Sequence, residues 1–428
     1  MKNKIIGKYS LGIGDRFAHQ AGAQLKGIQM ALDDGIEITP VWNKSFREHR
    51  TIGSESITTR LAADAAVKNL DWQGSYFLDA DHINLSNVEF FLDTCDFYTI
   101  DVADYIGQRT DESLIDAFVA QNSVWVKNLE LAEIINGQSF DMDVIRTIAE
   151  NYLYAIQEAG KIYRHIKLYG NSKDPVIEVS MDETENTQTP AEIFLILAGI
   201  AEEGIPIQTL APKFTGRFNK GVEYVGDLDR FEQEFESDLR ILKFAAAEFN
   251  LSGNLKLSIH SGSDKFSLYP IIGNLIRKFD SGIHVKTAGT TWLEEVIGMA
   301  AAGGEGLGLA KKIYADSVSR YDELCAPYST VLDIDPSCLP EINQVMTWSS
   351  RKFVDSLRHD QTNPDYNLHF RQLIHVGYKI AAEMGKQYTD ALDRFKKIIG
   401  ENVTTNIYDR HIRRIFQSIS NPTFDVKI

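Results

Sequence analysis

Eight short apolar runs, each breaking off into polar or glycine-containing sequence, recur before residue 290 of this 428-residue chain. They are KYSLGIG (8–14), IEITPVW (36–42), GSYFLDAD (74–81), DFYTIDVA (96–103), PVIEVSMD (175–182), IPIQTLA (205–211), LKLSIHS (255–261) and GIHVKTA (282–288). Helix-compatible stretches such as TRLAADAAVKNL (59–70) and DLDRFEQEFESDLRILKFAAAEF (227–249) separate them. Strands alternating with helices specify parallel pairing through crossover connections. Eight such units predict an α/β fold of the (β/α)8 TIM-like barrel type, which takes about 250 residues. A doubly wound open sheet is the alternative. Its nucleotide-binding version is weakened by the missing G-x-G-x-x-G after the first strand. The polar strand ends also recur along the whole run, as a ring of active-site loops requires.

The expected organisation is a barrel over 1–300, with a long insertion at about 104–174, followed by a helical extension over 301–428. The insertion reads as a lid or side subdomain. In the extension, residues 350–358, 368–384 and 388–398 suit amphipathic helices, packed on the barrel or at a subunit contact. The glycines of AAGGEGLGLAKK (301–312) follow no strand closely and read as a flexible break between helices, not as a phosphate loop.

Composition narrows the function classes. The formal net charge is −16 and no Lys/Arg-rich block offsets it, so phosphate backbones and acidic membranes are repelled. A small anionic substrate is still compatible, because a cationic pocket can sit inside an acidic protein. No run approaches the roughly 20 apolar residues of a spanning helix, and MKNKIIGKYSLGIG lacks the apolar core of a secretory signal. Three scattered cysteines, Cys95, Cys325 and Cys338, form no C-x-x-C and fit a reducing cytoplasm.

Catalytic groups of such barrels occupy the C-terminal strand ends. Alternation puts Glu178, Ser180 and Asp182 on one face of the fifth strand. It likewise groups Lys256, Ser258 and His260 on the seventh, and His284 with Lys286 on the eighth. The third strand ends in DADH, where Asp81 and His82 are neighbours and share a face only if the chain leaves strand geometry. For one histidine alone, a local hydrogen bond is the ordinary role. His82, His260 and His284 together at three strand ends, with carboxylates beside them, suit a divalent cation: zinc, manganese, nickel, cobalt or iron before magnesium. Glu178 lies within the apolar run VIEVS, where a carboxylate needs an inner lysine or a tuned acid/base role. Arg16, Lys44 and Lys213 end other strands and are candidates to hold an anionic substrate, with Asp182 and Lys286 beside them. A rival chemistry makes Lys286 in HVKTAGT a Schiff-base lysine of an aldolase, and the blander reading pairs it with Glu178.

Several ordered blocks resemble the tagaturonate epimerase family: DADHI (79–83), FYTIDVAD (97–104), EVSMDETE (178–185), LAPKFTGRFNKGVEYVGDL (210–228), LSIHSGSDKFSLYP (257–270), HVKTAGTTWLE (284–294) and RQLIHVGYK (371–379). The resemblance implies a metal-dependent enzyme of hexuronate catabolism that interconverts D-tagaturonate and D-fructuronate, C4 epimers. It implies that His82, His260 and His284 hold the metal, that Asp81 accepts a proton and that Glu178 donates one. Members of that family carry additional sequence ahead of the barrel, whereas the first strand here begins by about residue 8. Arg371, in the tail, joins the candidates for the substrate carboxylate. The C4 hydrogen is β to the ketone and unacidified, so a retro-aldol route is expected. Two other readings stay open: a metal-dependent sugar isomerase, and a non-catalytic carbohydrate-binding protein. The oligomeric state is open, a homo-oligomer included.

Overall fold

The computed structural model describes residues 5–420 except 138, 262, 263 and 288. Its strands are β1 (Tyr9–Gly14), β2 (Thr39–Ser45), β3 (Phe77–Ile83), β4 (Phe97–Asp101), β5 (Val176–Ser180), β6 (Ile207–Ala211), β7 (Lys256–His260) and β8 (Ile283–Lys286). All pair in parallel and in chain order, and β8 closes on β1. Each of the eight apolar runs therefore carries a strand of a (β/α)8 barrel with a helical C-terminal extension. Ala288, the last residue of the eighth run, lies outside the described residues.

Side-chain alternation divides the barrel into two apolar systems. Leu11, Ile13, Leu78, Ile100, Val179, Leu257, Ile259 and Val285 point outward and merge with the helix layer into one large core. Val41, Phe77, Phe97 and Val176 point inward and, with Ile6, form a separate small cluster that floors the barrel. Above that floor the inward positions turn polar: Asp79, Thr99, Glu178, Thr209, Ser258 and His284, all nearly inaccessible. One pleat higher stand Asp81, Asp101, Ser180, His260 and Lys286. The site thus rests on a hydrophobic plug that excludes water from below. Gly12 of β1 admits this arrangement, since a Cβ there would lie 2.7 Å from Lys286 Cγ and 3.3 Å from His284 Nε2.

The β4–β5 connection builds outer wall. Its helices Glu112–Asn122 and Met142–Tyr169 bury Ile115, Phe118, Ile145, Ala149 and Ile156 in the main core, and Trp125 packs edge-on against Phe194, Phe244 and Phe249. The apolar spacing of this stretch is thereby explained by the helix layer.

The extension clasps the barrel across β8 and β1. Trp292, on the helix Thr290–Ala302 that follows β8, donates Nε1–H to Ile374 O at 2.9 Å, and Thr404 Oγ1 donates to Ala23 O at 2.9 Å. Helices occupy Ser350–Leu357, Leu368–Val376, Tyr378–Met384, Lys386–Arg394 and Lys396–Thr405. The run expected over 368–384 is broken at Gly377, where a Cβ would meet Ser317 Oγ at 2.5 Å. In GGEGLG only Gly303 and Gly304 (φ +73° and +48°) form the break; the remainder lies inside the helix Gly304–Ser319. Gly306 is needed there because a Cβ would fall 2.4 Å from Met299 O.

One buried ionic hub pins the loop after β7 to this extension. Asp264, fully buried, accepts from Arg371 Nη2 at 3.0 Å and lies 3.1 Å from His411 Nε2 and 3.4 Å from His359 Nδ1. His411 belongs to a π-helical turn, Asn406–Ile412. Among the described residues no helix is long and apolar enough to cross a membrane.

Candidate active site

The end of β3 decides the site. Regular alternation would turn Asp81 and His82 to opposite faces. Instead the β3–β4 register shifts between Ala80 and Ile83, and His82 adopts φ +54°, a left-handed conformation that a β-carbon disfavours. Both side chains consequently reach the barrel mouth. His82 Nδ1 lies 3.0 Å from Asp81 Oδ1, and His82 Nε2 lies 3.4 Å from Asp182 Oδ1. From β7, His260 Nδ1 lies 3.0 Å from Asp182 Oδ2 and Nε2 lies 2.8 Å from Glu178 Oε1. Asp182 therefore sits between two imidazoles whose ring centroids are 5.1 Å apart.

His82 Nε2 and His260 Nδ1 are buried and make no well-directed hydrogen bond, although a carboxylate is close to both. One ligand atom each from His82, Asp182 and His260 falls within 4.8 Å of the others. Two imidazole nitrogens and one carboxylate suit a catalytic zinc-like ion, leaving coordination positions open. The outward nitrogens support this assignment. His82 Nδ1 faces Asp81 and His260 Nε2 faces Glu178, the carboxylate pairing that fixes a ligand histidine's tautomer. Without a cation, protons meet the same demand. Burial opposes charge on both rings, yet Asp81 and Asp182 raise His82 well above its ordinary value, and Asp182 and Glu178 raise His260 to about 9. Against its own burial, Asp182 is held well below the usual carboxylate range by His260 and His82.

His284 is not brought into this group. Register pairs His260 with Lys286 and Ser258 with His284, so His284 lies one inward layer deeper, about 7 Å along the strand. There its Nδ1 is 2.9 Å from Ser10 Oγ and its ring packs on Phe97 at 5.3 Å. Burial pushes it down to about 3, keeping it neutral. Asp182, expected from sequence as a substrate-binding residue, occupies the third corner instead.

Lys286 organises the layer between. Its Nζ stands 2.7 Å from Asp79 Oδ2, 2.9 Å from Asp81 Oδ1 and 2.9 Å from Glu178 Oε1, and it also bonds Thr99 Oγ1. Burial works against this ammonium, but the three carboxylates raise its pKa well above the ordinary value. A Schiff-base lysine must be a neutral amine, so the aldolase chemistry does not fit. The pairing with Glu178 is the one present. Burial likewise works against ionised Glu178 and Asp81, and in each Lys286 and an adjacent histidine outweigh it and hold the carboxylate low. Asp79 receives less compensation, and burial leaves it raised to about 6.

A cavity of about 500 Å³ opens over Asp81, His82, Asp182, His260, Lys213 and Lys286. Glu178, fully buried, is not among its lining residues and acts from behind Lys286 and His260. Lys213 lines the cavity and donates to Asp182 O at 3.0 Å. The remaining basic candidates are engaged elsewhere. Lys44 donates to Arg16 O at 2.7 Å and Ser54 Oγ at 2.8 Å, and burial lowers it to about 8. Arg16 pairs with Glu48 at 2.9 Å. Arg371 is fully buried, spends its donors on Leu357 O, Gly221 O and Asp264, and does not line the cavity. Sequence reasoning did not identify Arg47, on the helix Phe46–Ile52 after β2, Lys220, on the loop after β6, or Tyr328 and His375, on the extension, which all border the mouth. None ends a strand, so no periodicity marks them.

Comparison with known proteins agrees with the architecture. Residues 2–418 match the family model described as tagaturonate epimerase. A tagaturonate/fructuronate epimerase of Thermotoga maritima is 27% identical over 425 residues, covering 94% of this chain and 80% of that protein. Solved structures of the fructuronate-tagaturonate epimerase UxaE from Cohnella laeviribosi, native and with one bound glycerol, superpose with a TM-score of 0.75. They share 23% identity and cover 96% of this chain and 82% of theirs, which supports the fold.

Proposed function

Because the chain belongs to the tagaturonate epimerase family, we propose that it interconverts D-tagaturonate and D-fructuronate at C4, with a divalent cation held by His82, Asp182 and His260. The observation that carries this reading is the convergence of His82 Nε2 and His260 Nδ1 on the Asp182 carboxylate at the C-terminal mouth of the barrel. When bound, the cation supplies Lewis acidity toward negative charge developing on substrate oxygens. A role in hexuronate catabolism follows from these substrates.

The C4 hydrogen cannot be removed usefully, since no carbonyl is adjacent to take the electrons. Cleavage of C3–C4 solves this. Asp81, ionised and lining the cavity, takes the proton of the C4 hydroxyl. The C3–C4 bond pair passes to the C1–C3 fragment as an enediolate, leaving C4 as an aldehyde. That aldehyde turns over, the bond reforms on its other face, and the new C4 alkoxide recovers a proton. Lys286, cationic and lining the cavity 2.9 Å from Asp81, keeps that carboxylate ionised before the step and steadies the negative charge during it. Glu178 was expected from sequence to donate the proton. Its carboxyl is held low by Lys286 and His260 and does not line the cavity, so we assign it to orienting His260 and Lys286.

The test is product analysis on D-tagaturonate after chelation and stepwise metal addition. Fructuronate should form, disappear with the chelator and return with metal. An aldose product without the C4 epimer would replace this reading with an isomerase. Turnover indifferent to chelation would remove the cation from it.

A further inference from the structure

The mouth continues past His82 into a second cavity of about 280 Å³, and the two share Arg47, Asp81, His82, Glu183, Lys220 and Tyr328. The far wall of this annex is His375, on the helix Leu368–Val376 of the extension. We propose that Arg47, Lys220 and His375 form the subsite for the substrate's carboxylate, with the C-terminal extension supplying the residue that completes it. This rests on the reading of the substrate as a keto sugar acid.

His375 is the independent pointer to a ligand. It is 2% exposed, it lines the annex, and neither ring nitrogen has a hydrogen-bond partner. A buried imidazole with two unmet nitrogens costs free energy unless something arrives to bond them. Burial together with Arg16 and Lys220 holds it well below its ordinary pKa, so the ring is neutral, with one N–H donor and one acceptor. A carboxylate can take the donor, and a neighbouring sugar hydroxyl can give to the acceptor.

Two cations stand beside it: Arg47, and Lys220, whose ammonium is pushed down by burial and by Arg47 and drawn back by Glu183 and Glu48. Among the described residues neither Arg47 nor Lys220 has a carboxylate within ion-pair distance; both lie over the Tyr328 ring, at 4.8 and 5.6 Å. Tyr328 is fixed in turn by Tyr378, hydroxyl to hydroxyl at 2.9 Å. Arg16, by contrast, is neutralised by Glu48 and stacked on Tyr378 at 4.1 Å, which makes it a support rather than a free cation. Gly289, at the N-terminus of the 13-residue helix Thr290–Ala302, borders the same annex and adds a favourable dipole end. The acidic groups lining the annex have other situations: Glu48 serves Arg16, Asp81 serves Lys286 and His82, Asp101 faces His82, and Glu183 is exposed at the rim. With the cation group at one end and these donors at the other, an open-chain acid can lie across the mouth with its carboxylate in the annex.

The test compares acid and neutral ligands by calorimetry on the full chain. One arm uses the equilibrated tagaturonate–fructuronate pair, so that turnover adds no heat. The other uses D-tagatose, which replaces the carboxylate by a hydroxymethyl group. Wild type should bind the acids at least tenfold more tightly. Lys220→Met and Arg47→Met should each erase most of that preference while leaving tagatose affinity within about twofold, and His375→Gln should act in the same direction. Equal affinity of wild type for acid and neutral sugar would overturn the subsite, as would variants that weaken both alike. Arg47 is exposed, so its variant keeps the test valid if the His375 variant fails to fold. An acid preference without C4 epimerisation would overturn the proposed reaction and keep the subsite. Epimerisation without an acid preference would do the reverse.

Discussion

Two buried groups of charges are built into this barrel in opposite proportions. At the mouth, Asp79, Asp81, Glu178 and Asp182 crowd around Lys286, His82 and His260. Under the extension the carboxylate of Asp264 is approached by Arg371, His359, His411 and, at 3.8 Å, Arg410. The first is rich in acceptors and opens on a cavity, so it gains from a further cation. The second is rich in donors, and Asp264 lines neither mouth cavity. Residue types overlap between the two, and the ratio of acceptors to donors separates a binding site from a clamp.

The largest effect should come from emptying the acceptor-rich group. Asp182→Ala and His260→Ala should each lower turnover by about a thousandfold or more, the scale of lost Lewis-acid stabilisation. Bound metal measured by elemental analysis should fall with activity. Full metal content in either variant would remove that residue from the ligand set.

Asp264→Ala should do the converse. Removing the carboxylate shared by Arg371, His359 and His411 should cost about 3–5 kcal/mol of stability in denaturant titration. Metal bound per folded molecule should stay constant. A stability change under about 1 kcal/mol would show that the hub holds nothing together.

pH sharpens the contrast further. In the metal-free protein His82 and His260 carry protons held by Asp81, Asp182 and Glu178, so a cation must displace them. Apparent metal affinity should climb with pH, by about one decade per unit for each proton released, with the His260 proton given up near 9. The stability these raised pKa values lend the metal-free fold has the opposite trend. It is fully present below the ordinary histidine value and is lost as pH rises through about 9. A metal affinity flat between pH 6 and 9 would contradict the protonated pair.

The smallest effect belongs to Lys213, whose single bond to Asp182 O steadies the third ligand from the rim. Lys213→Met should cost about 1 kcal/mol in kcat/KM, roughly fivefold. No effect at all would place the lysine outside the working site.

Most of the scaffold was legible because a barrel repeats its signal. All eight strands announced themselves by apolar runs with polar ends, and alternation correctly put Glu178, Ser180, Asp182, His260 and Lys286 inside. Depth along the axis was not legible. His284 and His260 look equivalent in sequence, and only the β7–β8 register shows that Lys286 is level with His260. The Asp81–His82 pair demanded a departure from strand geometry, and the left-handed His82 supplies it. Arg371 and Lys44 looked like free cations because their partners, Asp264 and the backbone at Arg16, come from distant parts of the chain. His375 lay inside a recognisable block, RQLIHVGYK, but nothing in a helical pattern tells an inward histidine with a ligand from one without.

The wall that His375 contributes has a consequence for how this molecule comes into being. Arg16 touches the His375 carbonyl across 359 positions of chain, so the first and last thirds of the sequence meet at one rim. A ribosome delivers every strand before it delivers that helix. All eight strands are therefore synthesised before the wall of the proposed carboxylate subsite, which is complete only when the tail has docked.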